Sequence, residues 1–553
     1  MQKIHEHFST KRTPQSEPMV GATTPQVQMR SGGHGWEVDD WKRLERFLIL
    51  GTEGGTYYVG EHKLTVEACR ATQRCIQADG PKVVATVAAV SHDGRAPSND
   101  PALFVLAMCA KLGNETTRAA AYQALPMVAR IGTHLFHFAE YCKALGGIGG
   151  NGFKRAIARW YTDKPAERVA YQAVKYQQRN GWSHRDLLRL SHPKASSVDH
   201  QAIFRWITQG ELGENESTEN VAIVEAFEEI KRCESTAEVV RLIKGYGLPR
   251  EAVPTKFLND VAIWEALLPK MPVFALMRNL NKLTALGMVT NTSATTAHIA
   301  SVLGSEERLV KARVHPLAVL IALKTYAAGR GFKGKLTWQP CARVIDVLDA
   351  AFYAAFKAVR PTGKRLCLGL DVSGSMGAKV AGQPFLSCRE AAAAMAMVTA
   401  RVESTYEILG FTSGGPGYVQ MTSRACFGWS SGGSGVSQLP ISPRQRLDDV
   451  VRMTYGLPFG GTDCALPILW ALNNGVEIDA FVTYTDNESW AGDIHVDQAL
   501  RMYRDKTGIP AKLVAVAMTA DRYSVANPDD AGQLDVVGFD TATPNVISDF
   551  VTS

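Results

Sequence analysis

The sequence predicts a multidomain chain: an α-helical repeat array, HEAT-like in shape, followed by an α/β domain built on a doubly wound parallel sheet. Three observations carry this. Apolar residues recur at helical spacing from Asp39 to about residue 359 with short breaks between runs. From Arg365 onward, strand-like and helix-like runs alternate. The first of those strands, Arg365 to Asp371, runs into Asp371-Val372-Ser373-Gly374-Ser375, a loop that gathers one carboxylate and two hydroxyls around a small residue able to bend tightly.

Residues 1–37 are rich in Ser, Thr, Gln, Pro and Gly without an apolar period, which predicts a flexible arm. Residues 38–360 then form the helical domain, with runs at 39–49, 63–77, 80–92, 100–112, 115–129, 132–144, 152–161, 165–178, 197–208, 219–232, 235–244, 257–268, 272–286, 293–303, 315–328 and 342–359. Helices of about 12 residues joined by short turns over this length fit a stacked array, whose curvature offers a long surface to a large partner. Residues 361–553 form the sheet domain, with elements at 365–371, 389–403, 405–411, 445–455, 463–473, 479–485, 496–505, 511–518, 533–538 and 544–552. The Gly/Ser-rich stretch from Thr412 to Gln438 interrupts them as a hairpin or surface loop.

Composition bounds the setting. The 553 residues leave ample surface to bury, and the formal charge of +6 does not by itself announce nucleic acid. Ten cysteines are scattered with no Cys-x-x-Cys pair, as expected of reduced thiols in a cytoplasmic chain rather than a disulfide framework or a zinc site, and the chain is expected to be a monomer. No apolar run approaches the ~20 residues that span a bilayer, and the amino terminus lacks a secretory pattern.

Charge is unevenly placed. Asn151 to Lys194 holds ten Lys/Arg against three acids, Glu211 to Val240 holds nine Glu against two cations, and Arg308 to Arg343 holds eight Lys/Arg and no acid. Positive blocks on one fold are the footprint of phosphate binding. The first block interleaves Trp160, Tyr161, Tyr171, Tyr176, Trp182, His184 and His192 with its cations, so rings could stack on unpaired bases while Lys and Arg follow the backbone. The plainer reading is core aromatics and solvated charges. Within the block, Ser183 is placed to cap the helix after the turn Asn180-Gly181-Trp182-Ser183-His184-Arg185.

Two further segments bear on the Asp371 loop. Phe459-Gly460-Gly461-Thr462-Asp463 adds a hydroxyl at a helix start, and Ala480 to Asp486 is a second apolar strand ending in a carboxylate. Loops at the carboxyl ends of neighbouring parallel strands converge, and Mg2+ favours one or two carboxylates with hydroxyls and waters. Here Asp371-x-Ser373-x-Ser375, Thr462 and Asp486 resemble the metal-ion-dependent adhesion site of von Willebrand factor A domains. The resemblance implies Mg2+ on Ser373, Ser375 and Thr462, with Asp371 and Asp486 acting directly or through water. A Ser/Gly turn after a strand is the alternative.

The stretch from Lys175 through Asn180-Gly181-Trp182-Ser183-His184-Arg185 to His192 resembles the TROVE-domain signature of Ro ribonucleoproteins. Gly51 to Tyr58, Thr133-His134-Leu135-Phe136, Leu276-Met277-Arg278-Asn279-Leu280, Arg313-Val314-His315-Pro316 and Asn527-Pro528-Asp529-Asp530 extend the similarity over nearly all of the chain after residue 37. That resemblance implies a ring of helical repeats joined to the A domain. A central hole would take single-stranded 3′ ends of misfolded non-coding RNA, an outer basic surface would take a small structured Y RNA, and a 3′ exoribonuclease such as polynucleotide phosphorylase would be a partner. On this sequence the candidate RNA contacts are Lys154, Arg155, Arg159, Lys175, Arg179, His184, Arg185, Arg189 and His192, with Arg130, His134, Arg278, Arg313 and Lys324 not apportioned between hole and rim.

Other motifs point elsewhere. Gly147-x-Gly149-x-x-Gly152 and Gly329-x-Gly331-x-x-Gly334 match the dinucleotide fingerprint, but each follows a predicted helix, so turns between repeats explain them better. His134 and His137 lie on an apolar helix without a nearby Cys or Asp to complete a metal site. A hydrolase would need a base near the Asp371 loop. His495 and Glu488 are the only candidates, and no Gly-x-Ser-x-Gly elbow exists, so the chain is expected not to be an enzyme. Two other readings stay open: a helical scaffold for metal-dependent protein binding, and a metal-dependent phosphoesterase.

Overall fold

A computed structural model describes residues 12–51, 69–213, 219, 221–331, 335–356, 359–379, 386–413, 435–455, 460–519, 521–538 and 542–553. The chain divides into two compact units, one made of Met1–Ala71 with Phe356–Ser553 and the other of Thr72–Ala355. The sequence pattern placed the helical boundary at residue 38, whereas the first helix folds with the sheet unit.

Residues 12–37 are not the expected arm over their described length. Strands β1 (Gln26–Gln28) and β2 (His34–Glu37) pair antiparallel, and β2 pairs in turn with a strand near the carboxyl terminus, Tyr523 opposite Glu37 and Ser524 opposite Trp36. Trp36 is 2% exposed. Helix α1 (Asp40–Leu50) follows, opened by the Asp39 carboxylate on the Lys42 N–H and closed by Gly51 at φ 79°. Its Arg46, fully buried, donates to the carbonyls of Asp521 and Tyr523 and to the Asp535 carboxylate. A buried guanidinium needs that many acceptors.

The second unit is helical: α2 (Arg70–Asp93), α3 (Asp100–Leu112), α4 (Glu115–Val128), α5 (Gly132–Ala144), α6 (Asn151–Thr162), α7 (Ala166–Lys175), a two-residue hairpin of β3 (Gln178–Arg179) and β4 (Trp182–Ser183), then α8 (His184–Ser191), α9 (Val198–Gln209), α10 (Ala222–Ile230), α11 (Thr236–Tyr246), α12 (Val261–Leu267), α13 (Val273–Ala285), α14 (Ala294–Leu303), α15 (Glu306–Lys311), α16 (Pro316–Ala327) and α17 (Ala342–Ala354). Each packs mainly on helices close to it in sequence. Of these, α8 and α15 carry too few apolar residues to announce themselves by periodicity. Pro81 bends α2, where Asp79 leaves helical geometry, and a Cβ on the neighbouring Gly80 would lie 2.0 Å from Thr117 Oγ1. The kink separates the two runs that the sequence showed there.

The carboxyl-terminal part of the first unit holds β5 (Leu366–Asp371), α18 (Cys388–Val402), β6 (Tyr406–Phe411), β7 (Val436–Gln438), α19 (Leu447–Tyr455), α20 (Leu466–Asn474), β8 (Ala480–Thr485), α21 (Val496–Thr507), β9 (Lys512–Ala517), β10 (Tyr523–Ser524), β11 (Gln533–Val537) and α22 (Thr543–Thr552). The strand order is β11-β9-β8-β5-β6-β7, parallel except for β7, which runs antiparallel to β6 at one edge. The sheet is therefore mixed rather than wholly parallel; β7 lies inside the stretch read as a hairpin or surface loop and pairs back on β6, while residues 414–434 fall outside the described residues. Strand order reverses between β5 and β8, the topological switch point at which ligand crevices open in such sheets.

Nine of the ten cysteines are described; all nine are buried thiols outside any disulfide, as the sequence led one to expect. No described helix is long and apolar enough to cross a membrane.

Candidate ion site and nucleic-acid interface

β5 and β8 lie side by side with Leu370 opposite Tyr484, so their carboxyl ends deliver Asp371 and Asp486 to the same crevice. Asp371, fully buried, accepts the Ser373 N–H at 2.8 Å on one oxygen and the Thr485 hydroxyl at 2.9 Å on the other. The hydroxyls of Ser373 and Ser375 are 3.0 Å apart. Buried Arg389, at the start of α18, donates to the carbonyls of Val372 and Ser373, each at 2.9 Å, and fixes the loop from behind. Thr462 is buried, and its carbonyl accepts the N–H groups of Trp490 and Ala491, both at 3.0 Å, which ties its segment to the loop after β8. All five residues expected from the sequence thus lie on segments that meet.

The donor set suits a hard cation. Burial pushes the Asp371 carboxyl up to about 6 despite its hydrogen bonds from Ser373 and Thr485. Burial and then the Asp371 charge hold Asp486 well above the usual carboxylate range, with Ser375 opposing. A carboxylate whose charge raises its neighbour's affinity for protons also presents the oxygen-rich, electronegative setting that a divalent cation favours. No trio of His, Cys, Asp or Glu able to share a metal occurs among the described residues. The oxygens that fit a cation here are the Asp371 and Asp486 carboxylates and the hydroxyls of Ser373, Ser375 and Thr462.

Sequence reasoning missed what holds these loops. Gln15, 2% exposed, donates from Nε2 to Asp463 at 2.8 Å and to the Ile494 carbonyl at 2.9 Å, and its Oε1 accepts the Ser489 hydroxyl at 2.6 Å. Ser31 donates to Glu488 from both its N–H and its hydroxyl. A Cβ on Gly33 would lie 2.0 Å from the Ser489 carbonyl oxygen, so the amino-terminal segment rests directly on the loop after Asp486. Polar composition hid these contacts, whose partners lie more than 440 residues away.

In the helical unit, Asn180 and Gly181 take φ of 51° and 77°, the left-handed pair that a two-residue hairpin turn demands. Ser183 caps α8 with a reciprocal pair of bonds to Asp186, as expected from the sequence. The hairpin is anchored by Trp182, which donates to Glu140 at 2.7 Å. Around it Arg155, Arg159, Arg179, Arg185, Arg189 and His192 are exposed, and Lys154 and Lys175 half-buried. Arg159 spends part of its charge on Asp163 at 3.4 Å. Among the described residues, Lys154, Arg155, Arg179 and Arg185 make no ion pair. Helix α6, which carries Lys154, Arg155 and Arg159, packs on α8, which carries Arg185 and Arg189, so the block assembles on neighbouring elements.

His184 departs from expectation. It is 3% exposed, its Nδ1 lies 2.8 Å from the Tyr161 hydroxyl, and its ring packs edge-on against Phe136 at 4.8 Å. Burial pushes its pKa down to about 4, which keeps it neutral. In this geometry it cannot touch RNA; it is the packed foot on which the turn stands.

Arg130, His134 and Arg313 form a second group. Arg130 donates to the Ser91 carbonyl at 2.9 Å and the Ser91 hydroxyl at 2.7 Å, and burial followed by the nearby Arg313 charge lowers it to about 10. His134 is pushed down to about 3 by burial and by Arg130. Exposed Arg278 and half-buried Lys324 lie on α13 and α16, which pack together. His137 is held by Asp100 of α3 at 2.6 Å, a carboxylate that sequence distance concealed. Gly146, Gly147, Gly149 and Gly150 take positive φ in the loop that joins α5 to α6, a turn as expected. Gly334 and most of Gly51 to Tyr58 fall outside the described residues.

Comparison with known proteins adds to this. The TROVE domain family model matches residues 27–325, and the Ro60 vWA domain model matches residues 365–551. "RNA-binding protein RO60" of Caenorhabditis elegans is 34% identical over 618 aligned residues, covering 98% of this chain and 92% of that protein. "RNA-binding protein RO60" of Deinococcus radiodurans is 39% identical over 528 aligned residues, covering 95% of each. The crystal structure of the Deinococcus radiodurans RO (RSR) protein superposes with a TM-score of 0.70 at 38% identity, over 93% of this chain and 99% of that one.

Proposed function

The chain belongs to the Ro RNA-binding protein family, and from that premise we propose that it binds a small structured RNA of the Y type through the cations around the Asn180-Gly181 hairpin. The same helical unit takes single-stranded 3′ ends of misfolded non-coding RNA, and the complex presents such RNA to a 3′ exoribonuclease for quality control. Two relatives named as RNA-binding proteins, alike over nearly their full length, support a binding rather than a catalytic role. The observation that carries the reading is the exposure of Arg155, Arg179, Arg185, Arg189 and His192 about one rigidly packed turn. Fixed cations on a preorganised turn suit a folded RNA backbone.

Mg2+ is proposed for the hydroxyl loop, held by Ser373, Ser375 and Thr462 with Asp371 and Asp486. Its contribution there is positive charge between two buried carboxylates.

Crosslinking the protein to cellular RNA and sequencing the bound species tests the RNA reading. Small structured RNAs are expected from the wild-type chain and a strongly reduced yield from Arg179→Ala/Arg185→Ala. Equal yields from both would contradict it, and would favour the open alternative of a protein-binding scaffold.

A further inference from the structure

A groove in the helical unit joins Lys175 of the first basic block to two cations, Arg250 and Lys270, that lie outside both blocks. It is an open groove between the end of α7, the turn after α11, and the start of α13. Tyr171 and Lys175 line it from α7, Arg250 and Glu251 from the turn, and Lys270 from the residues before α13. The Lys175 ammonium lies 5.5 Å from the centroids of both Tyr171 and Tyr176, and a Cβ on Gly247 would sit 3.4 Å from Lys270 Nζ, so two ammonium groups are drawn in against the walls. Among the described residues, neither Arg250 nor Lys270 makes an ion pair. Glu251 is the one carboxylate in the lining, against three cations.

Helix α13 adds to this. It opens after Pro272 with no side-chain cap and no acidic residue in its first turn, and both Pro272 and Ala275 face the groove. Its first N–H groups and its positive end are therefore unopposed. Three cations, a bare helix start and a tyrosine ring in one concave site are the recognition set for a phosphate with an adjoining base.

We propose that this groove is a nucleotide subsite that takes one RNA phosphodiester on Lys175, Arg250, Lys270 and the α13 start, with the neighbouring base against Tyr171. It rests on the RNA reading above and extends it. Lys175 belongs to both surfaces, and the chain runs from it through Tyr176 straight into the hairpin, so one strand can leave the folded RNA at Arg179 and enter the groove.

The test uses the full chain and a stem–loop RNA with a single-stranded uridine tail. Arg250→Glu/Lys270→Glu is expected to weaken binding roughly tenfold near physiological salt and to flatten the salt dependence by about 1.4, for two contacts at ~0.7 each on single strands. Arg250→Lys/Lys270→Arg should bind as wild type does, and both variants should melt with it, since these side chains are exposed. Wild-type affinity in the charge-reversed variant, with Arg179→Ala/Arg185→Ala impaired, would overturn the groove and leave the RNA reading standing. Failure of the wild-type chain to bind the RNA would overturn both. Protection of Lys270 from acylation by uridine monophosphate but not by the RNA would also overturn the proposal, assigning the groove to a free nucleotide.

Discussion

At His184 the imidazole sits among Phe136, Trp160 and Tyr161, with its pKa pushed down to about 4 by burial. His315 is likewise buried and lowered to about 4, its Nδ1 accepting the Leu317 N–H that opens α16. Both are neutral when folded and titrate near 6.5 when unfolded, so the unfolded chain binds more protons between those values. Stability is accordingly full above about pH 6.5 and falls as pH drops towards 4, by up to about 3 kcal/mol for each residue. The urea midpoint should fall between pH 7.5 and pH 5, and should fall less in His184→Phe, which keeps an aromatic ring without the titration; equal losses would contradict the assignment. His184→Ala should cost about 3 kcal/mol through the cavity and the bare Tyr161 hydroxyl. Its effect on RNA would then follow from a loosened turn. The sequence made this turn conspicuous but could not separate its contact residues from its packing residues: Arg185 and His184 are adjacent, and only burial tells them apart.

Among the elements, the segment at 12–37 shows where composition misleads. Polar residues without a period read as a coil because the partners that satisfy them, Asp463, Ser489, Tyr523 and Ser524, are supplied by distant elements. The helices and strands with strong periodicity were legible almost to the residue, as in α3 and β8, whereas β7 and β10 depend on their partner strands and the short α8 was announced by its Ser183 cap alone. Gln15→Ala should destabilise the sheet unit by about 2 kcal/mol or more, because it strands a buried Asp463 carboxylate that burial already raises to about 6. An unchanged thermal midpoint would show that the segment rests on the sheet without bracing it. The three loops at the switch point make a separate prediction. Millimolar Mg2+ should raise the thermal midpoint over that in chelator, since it binds the folded state alone, and Asp371→Ala should abolish the rise. No shift in the wild-type chain would remove the proposed ion.

For the molecule as a whole, the mild net charge conceals blocks of opposite sign, and the order of helical array and sheet domain was readable from the change of period near Arg365. Which cations share a surface was not: Arg250 and Lys270 lie outside the basic blocks yet meet Lys175 in one groove, while Arg130 and Arg313 gather elsewhere in the helical unit. The central claim is that displayed Lys and Arg side chains hold RNA phosphates. Its most direct test is the slope of the logarithm of RNA affinity against the logarithm of salt concentration, for the wild-type chain and for Arg179→Ala/Arg185→Ala. A steep negative slope that becomes shallower by about 1.4 to 1.8 in the variant is the predicted result, each lost phosphate contact removing ~0.7 to 0.9. A flat slope in the wild-type chain, or the same slope in both, would contradict it.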